Sequence, residues 1–171
     1  MKLEFIEIEK ISKHVRKIYL NRPEKRNALC NPLRQELFKS LEDFDKDPEV
    51  KAIIIAGKGS CFCAGYDLSY NNKDDLPYHT GTTDGFWPRH VTDGAFKIWD
   101  LSTPVIAEVH GYCLAGGTEL AASCDLVYVT DDAEICRSEK IQAYRHQAFG
   151  LFLCSRSLKI RLGSQIYLFV I

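Results

Sequence analysis

The stretch "HGYCLAGGTELAASCDLVYV" (residues 110–129) places two adjacent glycines between an apolar run and a helical pattern. It continues from "TPVIAEVHG" (103–111), an apolar segment that predicts a buried strand. Gly116 and Gly117 then open "GGTELAASC" as a helix, and "DLVYVT" (125–130) predicts a further strand. The order indicates an α/β domain in which a glycine turn follows a strand.

The preceding residues extend the same architecture. "LEFIEIE" (3–9) alternates apolar and charged residues, and "VRKIYL" (15–20) does so less strictly, so both predict half-buried strands of a hairpin that turns around Ser12 to His14. "AIIIAG" (52–57) is a continuous apolar run with β-branched residues, which suits a strand covered on both faces.

A helix is predicted between these strands over "NPLRQELFKSLEDFDKD" (31–47). Its apolar residues recur at helical spacing, with Asn31 as N-cap and Pro32 at the first helical position. Strand, helix, strand in that order implies a parallel crossover. The spaced apolar residues are Leu33, Leu37, Leu41 and Phe44.

Two segments depart from regular patterning. Residues 70–95 are rich in Asn, Asp, Gly, Thr and Pro and predict a mobile surface loop, which the short helical pattern "AFKIWDL" (95–101) follows. Residues 137–171 hold six Lys or Arg against one acid, Glu139. A basic tail can bind nucleic acid, but this one carries no binding motif and ends in the apolar "IYLFVI". We therefore divide the chain into a core, 1–135, and an off-pattern tail, 136–171.

Composition excludes several classes of function. A chain of 171 residues fits one domain, and a net charge of −1 gives no general attraction to nucleic acid or membrane. Seven scattered cysteines include no C-x-x-C pair and no zinc-ligand spacing, so we expect reduced thiols and no metal. No signal peptide pattern and no long apolar run stand out, which predicts a cytoplasmic protein.

Three stretches resemble the enoyl-CoA hydratase/isomerase (crotonase) family: "NRPEKRNAL" (21–29), "FCAGYDL" (62–68) and the segment 110–129. The resemblance covers residues 1 to about 135. It implies an α/β fold with a repeated β-β-α spiral, truncated here before the C-terminal helical region. It also implies an acyl- or enoyl-CoA substrate, chemistry through a stabilised enolate, and no cofactor apart from the coenzyme A of the substrate. Family members form homotrimers or hexamers, an assembly in doubt without the C-terminal helices.

Glycine turns after two strands can point two main-chain N–H groups at one oxygen. The resemblance implies that these are the amides of Tyr66 and Gly116, which would form an oxyanion hole for the thioester carbonyl. The same reasoning makes Cys61 and Cys63 bystanders, because the chemistry then lies in the backbone.

The resemblance places the catalytic acid/base at Glu119, three residues after Gly116. A lone acid there is ordinarily a partner of the helix dipole, yet apolar surroundings could raise its pKa into the range of a general base. The hydratases of the family use a second Glu, and Glu139 falls at that place by count. Its neighbours lack the usual Gly and Pro, so Glu139 is either that second acid or a coincidence of spacing, which would favour isomerisation.

For the coenzyme A moiety, the resemblance brings Lys25, Arg26 and Ala28 to the phosphates and pantetheine. Backbone contacts to adenine and pantetheine would come from Ala64, Asp67 and Leu68. For Lys25 and Arg26 the alternative is ordinary surface charge. For the whole chain the alternative is a non-catalytic truncated or frameshifted product that retains a CoA-binding core.

Overall fold

A five-stranded sheet organises the described part of the chain, which in this computed structural model comprises residues 3–69, 94 and 96–135. The strands are β1 (Ile6–Lys10), β2 (Val15–Leu20), β3 (Ala52–Gly57), β4 (Val105–Val109), β5 (Tyr112–Cys113), β6 (Leu126–Val129) and β7 (Glu134–Ile135). The sheet has the order β1-β2-β3-β4-β6, and β5 and β7 form a separate parallel pair. These two short strands have no clear sequence pattern and were not predicted.

The predicted hairpin and crossover are confirmed. β1 and β2 are antiparallel, while β2 with β3, β3 with β4, and β4 with β6 are parallel. The central strands carry β-branched residues that are wholly buried, such as Ile53, Ile55 and Val105. They belong to one apolar cluster with the helix that crosses between β2 and β3. Burial on both faces explains why β3 reads as a continuous apolar run.

Helix α1 (Asn31–Asp45) buries Leu33, Leu37 and Leu41 in that cluster. The predicted N-cap is wrong by one residue, because Cys30 is the N-cap and Asn31 is the first helical residue. Cys30 has extended backbone angles, and its carbonyl accepts the first helical hydrogen bond from Arg34 N at 3.0 Å. Pro32 is tolerated in the first turn, where its missing N–H would have no helical partner.

The remaining helical segments are short. Helix α2 (Gly116–Ala122) begins at the predicted glycines, and residues 96–99 are helical within the predicted "AFKIWDL" segment. Of the predicted loop 70–95, only Gly94 is described, and the tail 136–171 lies outside the described residues. None of the helices in the described ranges combines the length and the hydropathy that a membrane crossing requires.

Asn27 joins the segment after β2 to the turn after β3. Its side chain is fully buried, and Oδ1 accepts a hydrogen bond from Arg22 N at 2.9 Å. Its Nδ2 donates to the carbonyls of Lys58 at 2.9 Å and Cys61 at 2.8 Å. The backbone of Asn27 is left-handed, with φ 55°, a conformation that asparagine adopts more readily than most residues.

We expect Asn27→Ala to lower the free energy of unfolding by about 3 kcal/mol, because it removes three hydrogen bonds, two of them buried, and leaves their backbone partners unpaired. Urea denaturation would measure the change. Asn21→Ala in the same segment is the control and should change stability by less than about 0.5 kcal/mol. A loss below about 1 kcal/mol for Asn27→Ala would contradict the role assigned to this side chain.

Candidate active site

The turn after β3 carries Gly65 at φ +101°, in the left-handed region. A Cβ there would lie 2.9 Å from the Leu114 carbonyl oxygen and 3.3 Å from the Gly116 nitrogen, so only glycine allows the two turns to approach this closely. The backbone on either side of Tyr66 is held by Leu29, whose N–H donates to Gly65 O at 2.7 Å and whose carbonyl accepts from Asp67 N at 3.0 Å.

The second turn precedes α2 and packs against the first. Ala115, the N-cap of α2, has φ 46° and ψ −117°, a conformation that costs a non-glycine residue on the order of 1–3 kcal/mol. Gly117 N–H donates to the Leu114 carbonyl at 2.8 Å, and a side chain on Gly117 would collide with the Cys63 carbonyl. Among the described residues, no backbone carbonyl accepts a hydrogen bond from the Gly116 N–H.

Tyr66 and Gly116 therefore lie side by side. A Cβ on Gly116 would lie 2.5 Å from Tyr66 Cε2, so the tyrosine ring rests on the first residue of α2. The structure thus brings together the two residues whose amides were predicted to form an oxyanion hole. The strained Ala115 and the left-handed Gly65 are the local features that make this proximity possible.

Glu119 lies on α2, three residues after Gly116. Its side chain is half-buried, and its Oε2 atom is buried with no hydrogen-bond partner among the residues that the structure describes. Burial is the largest influence on the pKa of Glu119 and raises it. A hydrogen bond from Tyr66 and the charge of Arg34 lower the pKa, but they offset only part of that rise.

These residues line one open cleft, whose empty space of about 350 Å³ includes solvent at its opening. Its apolar lining residues are Leu29, Leu37, Phe38, Ile98 and Leu120. Its other lining residues are Arg34, Tyr66, Gly94, Gly116, Glu119 and Ser123. A mostly apolar cleft with a few convergent polar groups is the usual form of a small-molecule site.

Other acids near this sheet have structural partners. Glu108 is exposed and pairs with Lys17 at 2.8 Å, and Asp125 accepts a hydrogen bond from Val105 N at 2.7 Å. Glu36 is buried on α1, where its carboxylate accepts the N–H groups of Phe5 and Ile6. Glu119 is the acid that lines the cleft within the described ranges.

The predicted phosphate contacts lie on the surface beside the first turn. Lys25 ends a short 3-10 helix (Pro23–Lys25), and both Lys25 and Arg26 are exposed. Ala28 is half-buried, its N–H donates to the Lys25 carbonyl at 3.0 Å, and its carbonyl accepts from Arg22 at 2.6 Å. The two cations are therefore accessible, whereas the Ala28 backbone already has intramolecular partners.

The other predicted coenzyme A contacts follow β3. Ala64 N–H donates to the Arg26 carbonyl at 2.9 Å, which joins the two predicted sets of contacts. Asp67 is buried, and its carboxylate pairs with Arg22 at 2.9 Å, while Leu68 is 92% exposed. Because the N–H groups of Ala64 and Asp67 are used within the chain, contacts to a ligand there would come from carbonyls or from Leu68.

Cys61 and Cys63 are both buried, and burial raises the pKa of each thiol. Cys63 Sγ lies 3.2 Å from the Asn27 carbonyl and accepts a hydrogen bond from Gly65 N at 3.4 Å, so it supports the turn. A raised thiol pKa leaves little thiolate, the reactive form, at neutral pH. Among the described residues, no cluster of three or more His, Cys, Asp or Glu is placed to hold a metal ion.

Comparison with known proteins identifies the fold and the family. The family model for enoyl-CoA hydratase/isomerase matches residues 10–169. The chain belongs to the enoyl-CoA hydratase/isomerase family. A solved enoyl-CoA hydratase from Bacillus anthracis matches with a TM-score of 0.75 at 28% identity, covering 92% of this chain and 59% of that structure. The predicted crotonase-type α/β fold is therefore confirmed.

Curated relatives of this enoyl-CoA hydratase/isomerase family member fall in more than one reaction class. The chain is 34% identical over 137 residues to the mouse protein "Delta(3,5)-Delta(2,4)-dienoyl-CoA isomerase, mitochondrial", with 76% of this chain and 42% of that relative covered. It is 37% identical over 142 residues to "Enoyl-CoA hydratase, mitochondrial" of Pongo abelii, with 80% and 45% covered. The chain thus spans about half the length of these relatives.

The family match extends past Ile135, into the segment set apart as an off-pattern tail. Glu139 lies outside the described residues, so its predicted role as a second acid stays a prediction. Nothing in the comparisons favours the alternative of a non-catalytic product.

Two residues of the site region were not predicted: Arg34, which lines the cleft, and Asn27, which supports the turn after β3. Arg34 is 5% exposed and lies on α1 with Leu37 and Phe38 in the cleft wall. In the sequence, the one indication of Arg34 is its position about one helical turn before Leu37, which puts an arginine on the apolar face of α1. Asn27 stood within a quoted motif, but its function depends on backbone carbonyls brought from residues 58 and 61, which no local pattern indicates.

Proposed function

We propose that this chain binds an acyl- or enoyl-CoA thioester and forms its enolate, with Glu119 as base and the amides of Tyr66 and Gly116 as oxyanion donors. The observation that supports this most directly is that all three residues line a single apolar cleft. In the proposed step, the Glu119 carboxylate takes a proton from the substrate carbon, and the electron pair moves to the thioester oxygen. Preorganised amides are most effective where that charge develops.

The proposed general base has a suitable setting. Burial moves the pKa of Glu119 upward, toward the range in which a carboxylate is an effective base near neutral pH. Returning the proton to another carbon would give isomerisation. Adding water would need a second acid, for which Glu139 is the candidate. The Glu119 carboxylate supplies proton abstraction, and the two amides supply stabilisation of the oxyanion. The proposed enolate formation therefore uses no metal or redox cofactor.

The exposed Lys25 and Arg26 are proposed to bind the phosphates of coenzyme A, with the pantetheine passing Ala28, Ala64, Asp67 and Leu68. A homotrimeric or hexameric assembly and a cytoplasmic location stay predictions. The names of the relatives include mitochondrial proteins and bacterial enoyl-CoA hydratases, so they do not point to one location.

We expect butyryl-CoA to bind the full chain in isothermal titration calorimetry and to exchange its α-protons in D2O, followed by proton NMR. Replacing both Lys25 and Arg26 by Ala should weaken binding by roughly 3- to 30-fold, because exposed ion pairs each contribute at most about 1 kcal/mol. Lys39→Ala, an exposed lysine that pairs with Asp43 on α1, is the matched control and should leave binding unchanged. Absence of binding by folded protein would reject the proposal.

A further inference from the structure

The side chain of Tyr66 lies among the polar groups of the cleft. Its ring rests on Gly116, it lines the same cleft as the Glu119 carboxyl, and its hydroxyl is close enough to that carboxyl to lower the pKa of Glu119. The Arg34 guanidinium lies over the same ring, with its central carbon 5.6 Å from the ring centroid. The proposed oxyanion role uses only the main-chain amide, which an apolar residue at position 66 would also supply. That role therefore does not account for the tyrosine hydroxyl.

We propose that the Tyr66 side chain is a positioning residue that holds the Glu119 carboxyl in the cleft, with Arg34 fixing the tyrosine ring from the side of α1. This inference rests on the proposed function, in which Glu119 is the base. One residue would then couple the two halves of the site, with its amide facing the developing oxyanion and its phenol facing the base.

The protonation states agree with this role. Burial is the largest influence on the pKa of Tyr66 and raises it, and the charge of Glu119 raises it further. The phenol therefore stays protonated at neutral pH and can donate. Donation from the phenol favours the ionised form of Glu119, as does the Arg34 charge, and both lower the pKa that burial raises.

Among the residues that the structure describes, few other charges face this pair. Within the described ranges, Arg34 from α1 and Tyr66 from the turn after β3 face Glu119, and the Cys63 thiol faces Tyr66. Because burial raises the pKa of Cys63, this thiol is neutral over the pH range of interest. A titration of Glu119 should therefore respond mainly to changes at positions 34 and 66.

The test is Tyr66→Phe, which removes only the hydroxyl and keeps the ring against Gly116. Carbon-13 NMR of the full chain labelled at glutamate side-chain carboxyls would follow Glu119, assigned by the signal that Glu119→Gln lacks. We expect the pKa of Glu119 to rise in Tyr66→Phe, because the bond that favours the charged form is lost. Tyr128→Phe, an exposed tyrosine on β6, is the control and should leave the titration unchanged.

Arg34→Met is the second variant. It keeps a long side chain but removes the positive charge, so it should also raise the pKa of Glu119. In α-proton exchange, Tyr66→Phe should be about 10- to 100-fold slower below the new pKa, with butyryl-CoA affinity changed only a few-fold. An unchanged Glu119 titration in Tyr66→Phe overturns the inference. If Tyr66→Phe does not fold, an unchanged titration in Arg34→Met overturns it. Failure of butyryl-CoA to bind would instead reject the proposed function, since the NMR titration needs no substrate.

Discussion

Glu119→Gln is expected to slow the exchange of acyl-CoA α-protons by about 100- to 10,000-fold, the range for loss of a general base. Glutamine keeps the shape of the side chain and a carbonyl that can accept from Tyr66, so the cleft should remain assembled. Affinity for butyryl-CoA should change little, because the carboxylate acts in the transition state and not in binding. Exchange rates from proton NMR and affinities from calorimetry separate the two effects.

Glu108→Gln is the matched control for this prediction. Glu108 is also an acid of the β4–α2 region, but it is exposed and paired with Lys17 at 2.8 Å, so exchange should be unaffected. Glu139→Gln tests the second acid in the same assay and in hydration of an enoyl-CoA. A Glu119→Gln variant that exchanges α-protons at the rate of the unmodified chain would defeat the mechanism.

The same substitution should change the pH dependence of stability. The pKa of Glu119 is raised in the folded state, so the folded protein holds this proton more tightly than the unfolded chain. Glu119 therefore reduces stability as the pH rises from its unfolded pKa through its folded pKa. Glu119→Gln removes that loss, so the variant should be more stable than the original chain above this window. Burial of the ionised carboxylate would lower the stability of the protein while it makes Glu119 a better base, as is common at active sites.

The strands and α1 were predictable because their signals are local. The unbroken apolar run in β3 and the apolar residues at helical spacing in α1 follow from burial of those elements in the core. Period-two alternation correctly indicated a strand at β1, although Ile6 is buried and Ile8 is exposed. The N-cap was misplaced by one residue because Cys30 caps through its backbone conformation, without the side-chain hydrogen bond that makes Asn or Ser a recognisable signal.

The site was predictable only in part. Glycines at 65 and 116 indicate close backbone approach, and the family resemblance adds the roles of Tyr66 and Glu119. What no pattern supplied is the arrangement of side chains from distant segments around them. The contact of Arg34 with Tyr66 joins α1 to the turn after β3, and pairing of this kind is fixed by packing and not by local preference.

Asp67→Ala is expected to lower the free energy of unfolding by about 3–5 kcal/mol, because it leaves the Arg22 guanidinium buried without its counter-ion. Arg22 and Asp67 are 8% and 6% exposed, and they meet at 2.9 Å. The same guanidinium donates to the Ala28 carbonyl at 2.6 Å, so the pair joins the turn after β3 to the segment after β2. Asp43→Ala, which breaks an exposed pair with Lys39, is the control and should change stability by less than about 0.5 kcal/mol.

Acid titration and a double variant identify the origin of this loss. Burial raises the pKa of Asp67, but hydrogen bonds from Ser69 and Arg22 and the Arg22 charge outweigh burial and leave the pKa lowered. The stability contributed by ionised Asp67 is therefore present above its unfolded pKa and disappears as the pH falls through its folded pKa. Urea denaturation at several pH values should show this dependence in the original chain and not in Asp67→Asn. Replacing both residues, as Arg22→Met with Asp67→Leu, should destabilise less than Asp67→Ala alone, because no unpaired charge remains buried. If the double variant is the less stable of the two, the pair contributes through its own attraction, and the unpaired-charge explanation fails.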